Sequence, residues 1–167
     1  MADEIAHLRR HRSPGIKRAG AGRSISKDTE HTKILLAGVK ILDSVMNPFG
    51  FIFRFEAAGH GSGGDFAWGK YSRGDRSLEL HFRYSLRLVR YQIANHCLDH
   101  ESYMRCLGVY GRNQYPDFPK KPLDSFTALA HDIQNYCQDF PSADGRQFQT
   151  YAAKLESRPN LFKGLPA

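Results

Sequence analysis

The chain has 167 residues, 41% of them hydrophobic, and a formal net charge of +7, which suits one domain with enough chain for a real core. No apolar run approaches the ~20 residues that cross a membrane; the longest is Ile34 to Val39, so no membrane partner is expected. The first residues hold no apolar region for a signal peptide, Arg9-Arg10 lacks the hydrophobic segment of a twin-arginine signal, and three cysteines make no disulfide framework.

These features point to a reducing cytoplasm. The charge is unevenly placed. Arg9, Arg10, Arg12, Lys17, Arg18, Arg23 and Lys27 stand against only Asp3 and Glu4, so most of the basicity lies at the N-terminal end. Residues 1–26, rich in Gly, Ser and Arg, are expected to form a disordered basic tail, and 27–167 a single α+β domain. Such a tail attracts nucleic acid through its phosphates without sequence preference, or it is a solubilising extension.

Ser26 is positioned to cap a helix that runs to about Met46, with Leu35, Gly38, Val39, Leu42, Val45 and Met46 on one stripe and Asn47-Pro48 as its stop. Phe51, Phe53 and Phe55 then alternate with Ile52, Arg54 and Glu56 as a first strand. Asp65 to Arg73 is a second strand, closed on a third by Gly74-Asp75, a pair suited to a type II′ turn. That turn sets Tyr71 opposite Leu78, Gly69 opposite Leu80 and Ala67 opposite Phe82. On the other face Lys70 meets Glu79 and Trp68 meets His81.

The stretch Leu78 to Ile93 is too long for one strand of ~5–6 residues. A turn near Ser85 and Leu86, with an even-length loop, would pair Phe82 with Val89, Leu80 with Tyr91 and Leu78 with Ile93 on one face. Asp99 caps a short helix that ends at Gly108. Asp124 caps another, with Phe126, Leu129, Ala130, Ile133, Tyr136, Cys137 and Phe140 at helical spacing and Pro141 as its end. Asp144 and Gln147 form a capping-box pattern for a last helix to about Ser157, with Phe148, Tyr151, Ala152 and Leu155 inward. The expected fold is α+β: an N-terminal helix, a four-stranded antiparallel meander, and two to three C-terminal helices packed on the sheet.

Gly59, Gly61 and Gly64 match the spacing of a dinucleotide-binding loop, but a strand follows where that loop requires a helix. The segment reads as a hairpin loop whose backbone N–H groups, with His60 and Ser62, can hold an anion. Asn95 to Glu101 gathers metal-capable side chains without the two separated pairs of a zinc site, and His100 and Glu101 read as the solvated first turn of a helix. No metal and no cofactor is expected. Ser62, His60, His81, His131 and Asp132 are possible parts of a nucleophilic site, but no local signature joins them, so no catalytic residue is assigned.

The strongest candidate surface is the non-core sheet face, where the register gathers Phe66, Trp68, Lys70, Glu79, His81, Arg83, Arg90 and Gln92. Trp and Arg are enriched in binding hot spots, and aromatic-basic sheets also hold single-stranded nucleic acid. The alternative is that the C-terminal helices cover this face. The long connection Gly108 to Pro122 adds Tyr110, Arg112, Tyr115, Phe118, Lys120 and Lys121, either as a binding loop or as a packed cover. The expected function is therefore a small non-catalytic binding protein whose partner is another protein, contacted through this face and the 108–122 loop. A nucleic-acid binder using the basic tail is the alternative. A small hydrolase or phosphate-handling enzyme on the Gly59–Gly64 loop is the third, and it requires His60 and His81 to converge.

Overall fold

A computed structural model describes residues 29–116, 120–142 and 144–156. The expected tail over 1–26, the helix cap at Ser26 and the loop residue Phe118 lie outside the described residues. The order of elements is α1 (Glu30–Met46), a 3₁₀ turn (Asn47–Phe49), β1 (Ile52–Gly61), β2 (Gly64–Arg73), β3 (Arg76–Phe82), β4 (Leu86–Ile93), β5 (His96–Asp99), α2 (His100–Cys106), α3 (Asp124–Asn135) and α4 (Arg146–Glu156). The strands form one antiparallel sheet in sequence order, so the class is α+β with five strands rather than four.

The β2–β3 hairpin keeps the expected register throughout, from Ala67↔Phe82 to Tyr71↔Leu78 on one face and Trp68↔His81 with Lys70↔Glu79 on the other. Gly74 supplies φ +56 at the turn while Asp75 does not enter the positive region, the pattern of a type II′ connection. The β3–β4 register differs by two residues from expectation: Leu80 faces Val89, Leu78 faces Tyr91 and Arg76 faces Ile93. The turn is not at Ser85-Leu86. It is the loop Arg83-Tyr84-Ser85, closed by the Arg83 N–H donating to the Ser85 carbonyl at 3.0 Å. An odd loop alone would throw β4 onto the wrong face. A bulge after His81, where Phe82 faces Leu86 and His81 faces Leu88, adds the one residue that restores the phase.

The additional strand, β5, follows a turn at Ala94-Asn95 in which Ala94 takes φ +51. It is four residues long and buries only Leu98, too little sequence to show a period. No glycine marks the turn before it.

Helices cover one face only. Leu35, Val39, Leu42 and Met46 of α1 and Phe126, Leu129 and Ile133 of α3 join Ala67, Tyr71, Leu78, Leu80, Phe82, Val89, Tyr91 and Ile93 in a single core. Gly38 lets α3 approach: a Cβ there would collide with the Phe126 ring. On the sheet side Gly69 does the same for the Phe53 ring. Tyr71 ties the sheet to α1, its hydroxyl hydrogen-bonded to the Val39 carbonyl at 2.9 Å and to Asp43 at 2.8 Å. Burial first, then the Asp43 carboxylate, pushes that phenol well above the ordinary tyrosine value.

The caps depart from expectation. Thr29 is the N-cap of α1, its hydroxyl accepting from the Thr32 N–H at 3.1 Å. Asp99 caps α2 as expected. Leu123 is the N-cap of α3, and Asp124, one residue later, accepts instead from the Lys121 N–H at 3.0 Å. α3 stops at Asn135, and Cys137 and Phe140 reach the core from the turns that follow. The capping box of α4 does not form. Asp144 pairs with Arg146 two residues on, and the Phe148 N–H in the first turn donates to Asp139 at 2.6 Å. A carboxylate from the preceding turn has taken the local one's place.

Arg73 and Arg76, flanking the β2–β3 turn, bind carbonyls of distant segments. Arg73 donates to Phe49 at 2.6 Å and lies 4.9 Å from the Phe51 ring centre. Arg76, buried, donates to Phe140 at 2.6 Å and to Ser142.

Three substitutions check this layering by denaturant unfolding. Leu80→Ala removes a fully buried side chain and is expected to destabilise by ~2–5 kcal/mol. Gly38→Ala is expected to cost ~1–3 kcal/mol through overpacking against Phe126. Arg90→Ala, exposed on the opposite face, should stay within about 0.5 kcal/mol.

Candidate functional site on the outer sheet face

The face opposite the helices carries Ile52 and Arg54 from β1, Phe66, Trp68, Lys70 and Ser72 from β2, Ser77, Glu79 and His81 from β3, and Leu88, Arg90 and Gln92 from β4. None of these is buried, and Ile52 is 75% exposed, so no described helix covers them. The alternation that buried Leu80 and Phe82 necessarily leaves His81 and Trp68 on this side.

Trp68 and His81 stack, with ring centroids 5.2 Å apart and planes within 7°. His81 also hydrogen-bonds Glu79 at 2.5 Å, and Glu56 pairs with Lys70 at 3.4 Å. Both of these carboxylates are thus engaged, and the third of this face, Asp99 opposite Arg90, caps α2. Arg83 and Arg87 have no carboxylate partner among the described residues. With Phe66, Trp68, His81, Phe82 and Leu88 they line a groove of about 350 Å³. Five of the expected face residues, Phe66, Trp68, Lys70, His81 and Arg90, stand on the face itself. Arg83 sits just past the end of β3, at the groove. Arg87 and Leu88, which the sequence reading did not single out, complete it. Their signal was hidden in the bulge, because period-2 counting assigns the extra residue to neither face.

The glycine-rich loop is a tight hairpin end: Gly61 pairs with Gly64 around Ser62-Gly63, and Gly59 pairs with Phe66. Its small residues make room for side chains from the next hairpin. A Cβ on Gly63 would collide with the Arg83 guanidinium, and one on Gly64 would meet the Tyr84 hydroxyl. His60 is committed to Asp65 at 2.8 Å and does not line the groove that His81 lines. His60 and His81 each hold a separate carboxylate.

The 108–122 connection divides. Tyr115, expected as a contact residue, is 3% exposed and its hydroxyl donates to the Leu86 carbonyl at 2.9 Å. It is a strap on the core, as the packed-cover alternative has it. Tyr110 is exposed with the Arg105 guanidinium 3.7 Å from its ring centre, and exposed Arg112 lies where its carbonyl accepts from Tyr136. These two face α2 and α3 rather than the sheet. Lys120 and Lys121 are exposed.

Asp132 makes that strap. Its carboxylate accepts from the Gln114 and Tyr115 N–H groups at 2.8 Å each and lies 3.2 Å from both His100 Nε2 and His131 Nδ1. His100 is 2% exposed, not in a solvated first turn, and its Nδ1 bonds the Tyr91 hydroxyl at 2.8 Å. Both of its ring nitrogens are occupied inside the core, which leaves neither directed at a substrate. Burial pushes the Cys137 thiol well above its ordinary value, which disfavours the thiolate. Cys97, Cys106 and Cys137 form no disulfide with one another, and no group of three metal-capable side chains occurs among the described residues.

No family model, curated protein or solved structure matches the chain. No helix among the described residues is long and apolar enough to cross a membrane.

Burial raises the Asp132 carboxyl, but the bonds from His100, the Gln114 and Tyr115 amides and His131 outweigh it and hold the group below its ordinary value of 3.8. A depressed folded value means stabilisation that is present above 3.8 and is lost as pH falls through the folded value. Acid unfolding of the protein should therefore carry a proton uptake below pH 3.8 that is absent in Asp132→Asn. Asp132→Ala, which strands two amides and two imidazoles, should cost ~3–5 kcal/mol at neutral pH.

Proposed function

We propose that this is a small non-catalytic binding protein and that its outer sheet face docks another protein. The observation that carries the reading is a sheet face that no described helix covers, bearing the Trp68–His81 stack beside two arginines without carboxylate partners among the described residues. Trp and Arg are the residue types that dominate binding hot spots, and a planar tryptophan presents large contact area at low entropic cost. The exposed half of the 108–122 loop, Tyr110 and Arg112, is a separate patch and is not required by this reading. Tyr115 serves the core instead.

A second reading is single-stranded nucleic acid on the same face, favoured by the aromatic rings next to Arg83 and Arg87. Its signature is salt: binding of an oligonucleotide should weaken steeply as salt rises, and removal of residues 1–26 should flatten the slope.

A photo-crosslinking residue at Gln92, exposed on the outer face, separates the two. The protein-partner reading expects a discrete adduct in cells that protease removes and nuclease leaves intact. The same group at Lys40, exposed on α1, should give no such adduct. Nuclease-sensitive adducts, or the same pattern from both positions, would overturn the reading.

A further inference from the structure

The outer face is not uniform, and the concavity beside Trp68 has an identifiable origin. Where the β3–β4 ladder passes from His81↔Leu88 to Phe82↔Leu86, Arg87 is the extra residue. The bulge opens the ladder locally, so that Phe82 of the core is reached from the outer side and Arg87 joins Arg83 at the rim. The result is an apolar floor of Phe66, Trp68, Phe82 and Leu88 with two cations beside it. The described carboxylates near this rim are engaged elsewhere: Glu79 with His81, Glu56 with Lys70, Asp99 with the Ser102 N–H and hydroxyl, and Glu101 with Arg105.

We infer that this groove is the anchor point of the docking face, and that it takes a large apolar side chain of the partner flanked by a carboxylate. Charge complementarity selects the acidic neighbour: an arginine without a carboxylate partner among the described residues gains from a bidentate carboxylate. Volume selects the anchor, since about 350 Å³ accepts a ring or a branched aliphatic side chain with its flanking backbone. A nucleic-acid strand fits less well. The adjoining groove, which shares Arg87 and Leu88, also presents Asp99 and Glu101, and these would repel a phosphate backbone running off the rim in that direction. A short acidic peptide can end at the Arg83 and Arg87 rim, whereas a strand repeats its charge past Asp99 and Glu101. The inference rests on the protein-partner reading and narrows it.

Trp68 is the only tryptophan of the chain and lines the groove, so its emission reports occupancy directly. The probe is an acetylated, amidated tetrapeptide of sequence Glu-Asp-Phe-Asp, compared with Lys-Lys-Phe-Lys and with a ten-nucleotide oligothymidylate. A saturable change with the acidic peptide alone is expected, with affinity at least about tenfold weaker in Arg83→Gln/Arg87→Gln. A tenfold loss corresponds to about 1.4 kcal/mol, within the range for a charged hydrogen bond. Because Arg83 packs over the glycine turn, Arg87→Gln alone is the second variant; Arg87 is exposed, and its loss should leave the fold intact while weakening the peptide by a measurable factor. No response to the acidic peptide, an equal response to the cationic one, or a response to oligothymidylate alone overturns the inference. So does a response that neither variant weakens. If the Gln92 adduct persists in the double variant, the groove assignment fails while the docking face stands; if the wild-type protein gives no adduct, the docking face itself fails.

Discussion

The register of the β2–β3 hairpin is the constraint on which the rest of the molecule depends. A two-residue turn at Gly74-Asp75 allows only one parity, and that parity puts Tyr71, Leu78, Leu80, Ala67 and Phe82 on one side and Trp68, His81, Lys70 and Glu79 on the other. The apolar side then demands a cover, which α1 and α3 supply. The polar side is left to water or to a partner. A slip of one residue would exchange the two faces and remove both the core and the groove.

Two polar devices hold the irregular segments against that frame. Arg73 and Arg76 bind the carbonyls of Phe49, Phe140 and Ser142, so the hairpin end anchors the start of β1 and the connection from α3 to α4. Asp132 collects the amides of Gln114 and Tyr115 and the rings of His100 and His131, which fixes the loop before α3 on the end of β4. Both satisfy backbone groups that the loops themselves leave unpaired, the general condition for burying irregular chain. His100 and Asp132 are thereby held in the core, and the outer face keeps a surface of rings and arginines.

The bulge in β4 shows how a departure from regularity produces a site. The three-residue loop Arg83-Tyr84-Ser85 gives β4 the wrong phase, and the extra residue at Arg87 restores it. Phase correction and groove formation are one event. The two grooves that meet at Arg87 and Leu88 lie on either side of this point, so the sheet face and the Tyr115-Pro116 end of the long loop form a continuous surface there.

Elements with a strong period, a stop signal or a turn dipeptide were legible in the chain: α1 to its Asn47-Pro48 stop, the β2–β3 register, the stripe of α3 and the Asp99 cap. These are set by neighbours a few residues apart, and their physics is local. The position of β5, the two-residue shift of β4, the replacement of the Asp144 cap by Asp139 and the burial of His100 and Tyr115 were decided by tertiary structure. Each depends on a segment outside its own periodic pattern: β4 for β5, the loop after β3 for the bulge, Asp139 for α4 and Asp132 for His100. The sequence by itself determined which residues share the outer face, because alternation along a strand is fixed by the pleat. Only the tertiary structure decided that no described helix covers the face and that Arg87 and Leu88 line its groove, because the side on which helices pack and the point where a ladder breaks follow from contacts between segments.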